Sequence, residues 1–258
     1  MTLKTRVRYD QRDDPAMVAA DLIERSGQFF PPINLERVAA LWPGVRISRE
    51  NIDNEGYIID LGIQGAEILV KATDSPARQR FTVAHELGHW ILANGGRASG
   101  QPPRVSVQSF ASKERWCDRF AVHLLMPAAW ITEQLGSRSA DAVVERILRG
   151  HLVYGVSPLA FRLRVSELTA ISIYELVVSR RGVSVARRYE SPLVSKPALS
   201  SGLRLVVTGL LKGEERNATI NVTKELVALQ KVARRTGDAE SRWLVCILPR
   251  SWRLFSRR

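Results

Sequence analysis

The chain has 258 residues, of which 45% are hydrophobic and 25% are charged, a balance typical of a globular protein with a sizeable core. No apolar run reaches the about 18 residues of a membrane-spanning helix, and the first residues lack the apolar stretch of a signal peptide. The two cysteines, Cys117 and Cys246, fit a reduced protein better than a disulfide-bonded one. We therefore expect a cytoplasmic protein that makes no membrane contact.

The net charge of +12 is unevenly distributed along the chain. Residues 1–135 carry 16 basic and 16 acidic side chains, so the whole excess lies in residues 136–258. A basic excess confined to one half indicates contact with nucleic acid or with another acidic partner. A solvated, arginine-rich surface explains the same excess equally well.

The first 75 residues predict two helices and a small sheet. Asp14 and Pro15 are typical of the start of an amphipathic helix over 14–27, and Asn34 is a candidate cap for a second helix within 31–44. Short alternating segments then predict three strands: "GVRISRE", "EGYIIDLG" and "AEILVKA".

The stretch "RQRFTVAHELGHWIL", residues 78–92, lies in a helix predicted over 76–93. Residues four apart share one face of a helix, so His85 and His89 project together and can hold one zinc ion. Glu86 lies one residue beyond His85, where it can act as general base on a water at the metal. The alternative is a core helix with two hydrogen-bonded histidines. The chain has only four histidines, and the placed glutamate favours the metal site.

A catalytic zinc site usually has a third protein ligand, and the next predicted helix, over 112–127, offers two carboxylates one turn apart. Glu114 is the better third ligand. Asp118 is placed to accept a hydrogen bond from a ligand histidine and to fix its orientation. The alternative is that both are surface acids paired with Arg115 or Arg119.

From residue 136 the sequence predicts helices over 139–150 and 156–168, separated by the turn "HLVYG", and this pair resembles a helix-turn-helix. Arg162 and Arg164 lie on the second helix, where contacts to nucleic acid or to a partner would occur. The alternative is a packing unit. Beyond residue 170 the patterns predict strands, including one over 203–211, interrupted by a short helix near 224–235.

The blocks "RQRFTVAHELGHWIL" and "ERWCDRFAVHLLMP" resemble those of the ImmA/IrrE family of metallopeptidases, and flanking segments extend the resemblance over about 30–168. The resemblance implies a gluzincin-like zinc metallo-endopeptidase, with the ion on His85, His89 and Glu114 and with Glu86 as base. Manganese or another divalent metal is an alternative to zinc. By the same resemblance, extended substrate would add to the strand before the metal helix, "AEILVKA".

The family resemblance further implies limited proteolysis of a helix-turn-helix transcriptional repressor in a stress or mobile-element response. Two alternatives stay open: a DNA-binding regulator, and a toxin/antitoxin-type partner protein, whose zincin domain serves mainly as a protein-binding platform.

We thus expect an α+β chain with three parts. A zincin-like metallopeptidase domain, a small sheet with metal-binding helices, occupies 1–135. A helix-turn-helix-like segment follows over 136–170. A small, basic, mainly antiparallel α+β domain occupies 171–258, where some larger relatives carry a sensor-like domain. This segment is short for such a domain, and sensing, DNA binding and dimerisation stay open as its role.

Overall fold

The computed structural model describes residues 14–94, 110–136, 139–179, 181–193, 206, 208–209, 218–222, 225–234 and 241–249. The chain forms two compact units. The first contains Met1–Pro127 and Leu152–Ser157, and the second contains Ala128–His151 and Pro158–Arg258. Helices and strands occur in both units, so the expected α+β class is confirmed.

The first unit opens with two capped helices, α1 (Pro15–Arg25) and α2 (Leu35–Ala39). The Asp14 carboxylate accepts a hydrogen bond from the backbone N–H of Ala16 at 2.9 Å, and the Asn34 side chain caps α2 by accepting from the N–H of Arg37 at 2.8 Å. The prolines at 31–32 disfavour helical geometry at residues 30 and 31, and α2 begins directly after its cap, Asn34.

A three-stranded sheet follows, made of β1 (Val45–Glu50), β2 (Gly56–Asp60) and β3 (Ala66–Lys71). Its order is β1-β3-β2, with β3 parallel to β1 and antiparallel to β2. The three predicted strands are therefore confirmed, and the central strand turns Ala66, Ile68 and Val70 into the core.

Two long helices complete the first unit, α3 (Pro76–Asn94) and α4 (Phe110–Leu125). The helix expected over 76–93 is confirmed within one residue. Val83, Leu87 and Ile91 form its buried face, and Phe120 and Leu124 are buried on α4. The apolar sides of the two helices thereby contribute to one core, which leaves their polar sides for the site described below.

The helical part of the second unit consists of α5 (Ala128–Leu135), α6 (Ala140–Tyr154) and α7 (Pro158–Leu168). The sequence did not predict α5. The predicted turn "HLVYG" is wrong in its first four residues, because α6 continues to Tyr154 and ends at Gly155, whose φ of 64° suits glycine. The last residues of α6 belong to the first unit.

The rest of the second unit is a five-stranded antiparallel sheet of order β5-β4-β8-β7-β6. One face carries a core of Tyr174, Leu176, Trp243, Val245 and Ile247. The strands are β4 (Ser172–Ser179), β5 (Gly182–Tyr189), β6 (Ala218–Val222), β7 (Glu225–Arg234) and β8 (Ser241–Pro249).

The helix predicted near 224–235 is wrong, because this segment is strand β7. Its apolar residues fit helical and extended periods alike, and pairing with both β6 and β8 decides in favour of the strand. The strand predicted over 203–211 falls largely outside the described residues, and the three described positions, 206 and 208–209, are helical. No helix in the described ranges is long and apolar enough to cross a membrane.

A buried ion pair connects α7 to the sheet. The Arg162 guanidinium contacts the Glu175 carboxylate of β4, and the Tyr189 hydroxyl donates to the same carboxylate at 2.8 Å. Ser166, one turn along α7, donates to the Tyr189 carbonyl at 3.1 Å. Because Arg162 is only 7% exposed, its charge depends on Glu175 for compensation.

Arg162→Met should destabilise the protein by about 3 kcal/mol, since it removes the buried cation that contacts the carboxylate of Glu175. The double variant Arg162→Met/Glu175→Leu should regain a large part of this loss, because it removes both charges. Urea unfolding of the full chain measures both effects. A single variant within about 0.5 kcal/mol of wild type would show that the ion pair does not support the unit.

Candidate metal centre

Helices α3 and α4 bring three potential metal ligands together. The Nε2 atoms of His85 and His89 lie 3.1 Å apart. Each also lies 3.2 Å from a carboxylate oxygen of Glu114, Oε2 for His85 and Oε1 for His89. The ligand atoms of the three residues all fall within 4.8 Å of one another. The three side chains that the sequence predicted as metal ligands therefore lie together in one site.

The close approach of the two helices depends on Gly88, which lies between the histidines. A Cβ atom added there would stand 3.2 Å from the Cα, Cβ and Sγ atoms of Cys117 on α4. Glycine costs about 1 kcal/mol in a helix relative to alanine, so its presence in α3 is explained by this contact. Burial raises the pKa of the Cys117 thiol far above its ordinary value, which leaves it a neutral packing group.

The chemistry of the three side chains fits a divalent ion. Two imidazoles and one carboxylate are a donor set typical of catalytic zinc sites, which keep a further position open. His85 is 16% exposed, His89 27% and Glu114 30%, so the cluster is accessible from solvent. Burial lowers the pKa of His89, against the opposing charge of Glu114, and so favours the neutral imidazole that binds metals.

Asp118 orients His85. Its Oδ1 atom lies 2.9 Å from Nδ1 of that histidine. When Nδ1 carries the proton and donates it to this carboxylate, the lone pair of Nε2 is available to an ion bound between His85, His89 and Glu114. The acid four residues beyond Glu114 thus has the position that the sequence indicated, one turn along the same face of α4.

Glu86 lies beside the cluster, on the turn of α3 that carries His85. Burial raises the pKa of its carboxyl above the ordinary value; the charge of His85 opposes this shift and that of Glu114 adds to it. A half-buried carboxyl with a raised pKa can hold a proton transiently, which is the property that a general base and acid requires.

The proposed nucleic-acid or partner contacts through Arg162 and Arg164 are wrong. Their side chains are buried, with exposures of 7% and 6%, and they pair with Glu175 and Glu167. Since α7 contains no other basic residue, its exposed side presents Leu159 and Leu163 instead of cations. A recognition helix would place its basic residues on the outside.

Arg80 has the structural role that its position in the sequence favoured, but the sequence did not identify the groups that it contacts. Its guanidinium donates to the carbonyl of Ile33 at 2.8 Å and to that of Gly155 at 3.2 Å, so it connects α3 to two loops of the first unit. Arg80 is the second arginine of the "RQRFT" block, and this position was the only sign of its role in the sequence. The two carbonyls that it binds are distant in sequence, so its contacts could not be predicted.

The α+β unit and its cluster of two histidines and a glutamate define a domain of the metallopeptidase class. Residues 43–170 match the family model Peptidase_M78, the IrrE N-terminal-like domain, and the chain belongs to the ImmA/IrrE family through this segment. The match includes β1–β3 and α3–α7.

The comparison with solved structures gives a similarity to a Mycobacterium tuberculosis transcriptional regulator, at 13% identity and a TM-score of 0.48. It covers 94% of this chain and 78% of that one. No protein with a curated description matches the sequence.

Asp118→Asn should weaken divalent-metal binding about 10- to 100-fold, because the amide holds the His85 ring less firmly and no longer strengthens it as a ligand. The saturated protein should still bind one ion. Chelator competition gives the affinity and elemental analysis the stoichiometry. Glu167→Gln, a charge-neutralising change in the second unit, is the control, and equal affinities for the two variants would exclude an orienting role for Asp118.

Proposed function

We propose that the protein is a zinc-dependent endopeptidase that performs limited proteolysis of a helix-turn-helix transcriptional repressor in a stress or mobile-element response. The observation that carries this proposal is the convergence of ligand atoms from His85, His89 and Glu114 within 4.8 Å. Membership of the ImmA/IrrE family supports a metallopeptidase. The choice of a repressor as substrate follows from the family resemblance of the sequence.

The side chains around the cluster have separate roles in this hydrolysis. An ion held by His85, His89 and Glu114 would supply Lewis acidity, which activates water and polarises the scissile carbonyl. Glu86 accepts a proton from the attacking water and delivers it to the leaving amine when the C–N bond breaks. Asp118 keeps the imidazole of His85 in one orientation throughout.

In this proposal, extended substrate adds to the three-stranded sheet at strand β2 and not at β3. The expectation that "AEILVKA" binds extended peptide is wrong, because this strand is β3, which pairs with β1 and β2 on its two sides. In the described part of the chain, β2 is an edge strand, and a Cβ atom on its Gly56 would stand 2.4 Å from the Cγ2 atom of Thr82. Thr82 precedes His85 by one turn of α3, so β2 borders the metal helix.

The hydrogen-bond pattern shows which groups of β2 a peptide would meet. Leu61 N donates to the Gly65 carbonyl at 2.9 Å, and Lys71 N donates to the Glu55 carbonyl at 3.0 Å. Opposite residues in an antiparallel pair of strands alternate between hydrogen-bonded and non-hydrogen-bonded pairs. The odd-numbered residues of β2 therefore form the backbone hydrogen bonds to β3. The N–H and C=O of Ile58 then face the open edge.

Glu86→Gln should abolish cleavage, since an amide cannot take the proton of the water, while one ion per chain remains bound. The measurement is co-expression of either form with a candidate helix-turn-helix repressor from the same genome, followed by mass analysis of that repressor. A clipped repressor is expected only with wild type. Cleavage by the variant would contradict the mechanism, and an intact repressor that co-purifies with wild type would favour a binding platform.

Ile58→Pro should reduce cleavage of the repressor about tenfold or more, because proline removes the N–H that an added strand would use. The bonds between β2 and β3 should survive, since this N–H faces the open edge. Ile58→Ala, which keeps the N–H, is the matched control and should cleave faster than the proline variant. Equal rates for the two, with metal content unchanged, would exclude strand addition at β2.

A further inference from the structure

In the described part of the second unit, most exposed arginines lie on the sheet, and the one that lies on a helix, Arg149, is paired with Glu145 of the same helix. The excess charge of +12 lies in residues 136–258, yet both arginines of α7 are buried. On the edge strand β5 and the turn before it, Arg181, Arg187 and Arg188 are exposed, and so is Arg242 on the interior strand β8. An exposed arginine on an interior strand means that this part of the sheet is open to solvent.

Strand register places two of these arginines on one face. Arg187 pairs with Glu175, while Ser184 of β5 and Arg242 of β8 both pair with Val177 of β4. Paired residues point to the same side of a sheet, and alternate residues of β4 share that side. Arg187 and Arg242 therefore share a face, and Arg181 lies in the turn at its end. We call these three residues the arginine face.

The arginine face retains its positive charge because the nearest carboxylate is already engaged. Glu175 contacts the buried Arg162 and accepts from the Tyr189 hydroxyl. Arg187 also contacts that hydroxyl, which holds its guanidinium in place. One carboxylate thus faces two guanidinium groups at this point, and the charges of Arg181 and Arg242 add to the surplus.

The composition of this face distinguishes nucleic acid from an acidic protein as partner. Between the arginines lie Ser184, which is exposed, and Val177, which is half-buried. Protein interfaces depend on buried aromatic or large apolar anchors, which these positions lack. Phosphate backbones need only well-placed cations, and guanidinium groups bind phosphate with two hydrogen bonds. Strands β5 and β8 are two spacings apart, about 10 Å, which suits phosphates on either side of a groove about 6–12 Å wide.

We propose that the second unit binds the phosphate backbone of double-stranded DNA through the arginine face, without reading base sequence. This binding is separate from the proposed peptidase activity, because none of its residues belongs to the metal centre. It also replaces the helix-turn-helix-like contact, for which α7 offers no exposed cation.

The test is fluorescence anisotropy of the full chain with a labelled duplex of arbitrary sequence, at about 50 to 200 mM salt. Wild type should bind with a steep loss of affinity as salt rises. Arg181→Gln/Arg187→Gln/Arg242→Gln should weaken binding about tenfold or more and should lower the salt slope by about 2 to 3, near 0.9 for each lost phosphate contact. Arg181→Gln/Arg242→Gln, which leaves the contact of Arg187 with Tyr189 intact, should lower the slope by about 1 to 2.

Arg37→Gln/Arg46→Gln/Arg149→Gln removes the same charge from other exposed positions and should leave the affinity within about twofold of wild type. Glu86→Gln should bind DNA like wild type, so a failed peptidase proposal does not affect this one. Equal binding by the two triple variants would overturn the arginine face. Tighter binding to polyglutamate or to single-stranded RNA than to the duplex would overturn DNA as the partner.

Discussion

The close contact between Gly88 of α3 and Cys117 of α4 determines the geometry of the site. His85 and His89 lie on either side of this glycine along α3, and Glu114 and Asp118 lie on either side of the cysteine along α4. Because the backbones meet between each pair, both histidines can reach Glu114 while Asp118 reaches the far nitrogen of His85. Even an alanine in place of Gly88 would stand 3.2 Å from three atoms of Cys117, so α4 would have to shift by a few tenths of an ångström, together with the ligand that it carries.

The cluster of metal ligands depends on the surrounding structure for its rigidity. Two histidines and several carboxylates in a half-buried cluster contribute little to stability by themselves, since desolvation offsets much of their attraction. The packed apolar faces of α3 and α4 hold the cluster in place instead. The hydrogen bonds from Arg80 to two backbone carbonyls add to this support. An ion that binds only the folded chain would add stability in proportion to its affinity and concentration.

What the sequence could predict was local. The spacing of His85 and His89, the carboxylates one turn apart on the next helix and the strands β1 to β3 follow from short-range periodicity, and the structure places them as expected. The errors concern pairings between distant segments. Nothing local shows that β3 lies between β1 and β2, that β7 is held extended by β8, or that Glu175 removes Arg162 from the surface.

The buried arginines of α7 and the exposed arginines of the sheet lead to one functional picture, which rests on both proposals. A repressor with a helix-turn-helix is found on DNA, and a peptidase that holds the same duplex through a weak, sequence-independent contact meets it at a raised effective concentration. Weak phosphate contacts suffice for this purpose and permit movement along the duplex. Cleavage would then depend on β2 and the metal centre for its chemistry, and on the arginine face for the frequency of encounter.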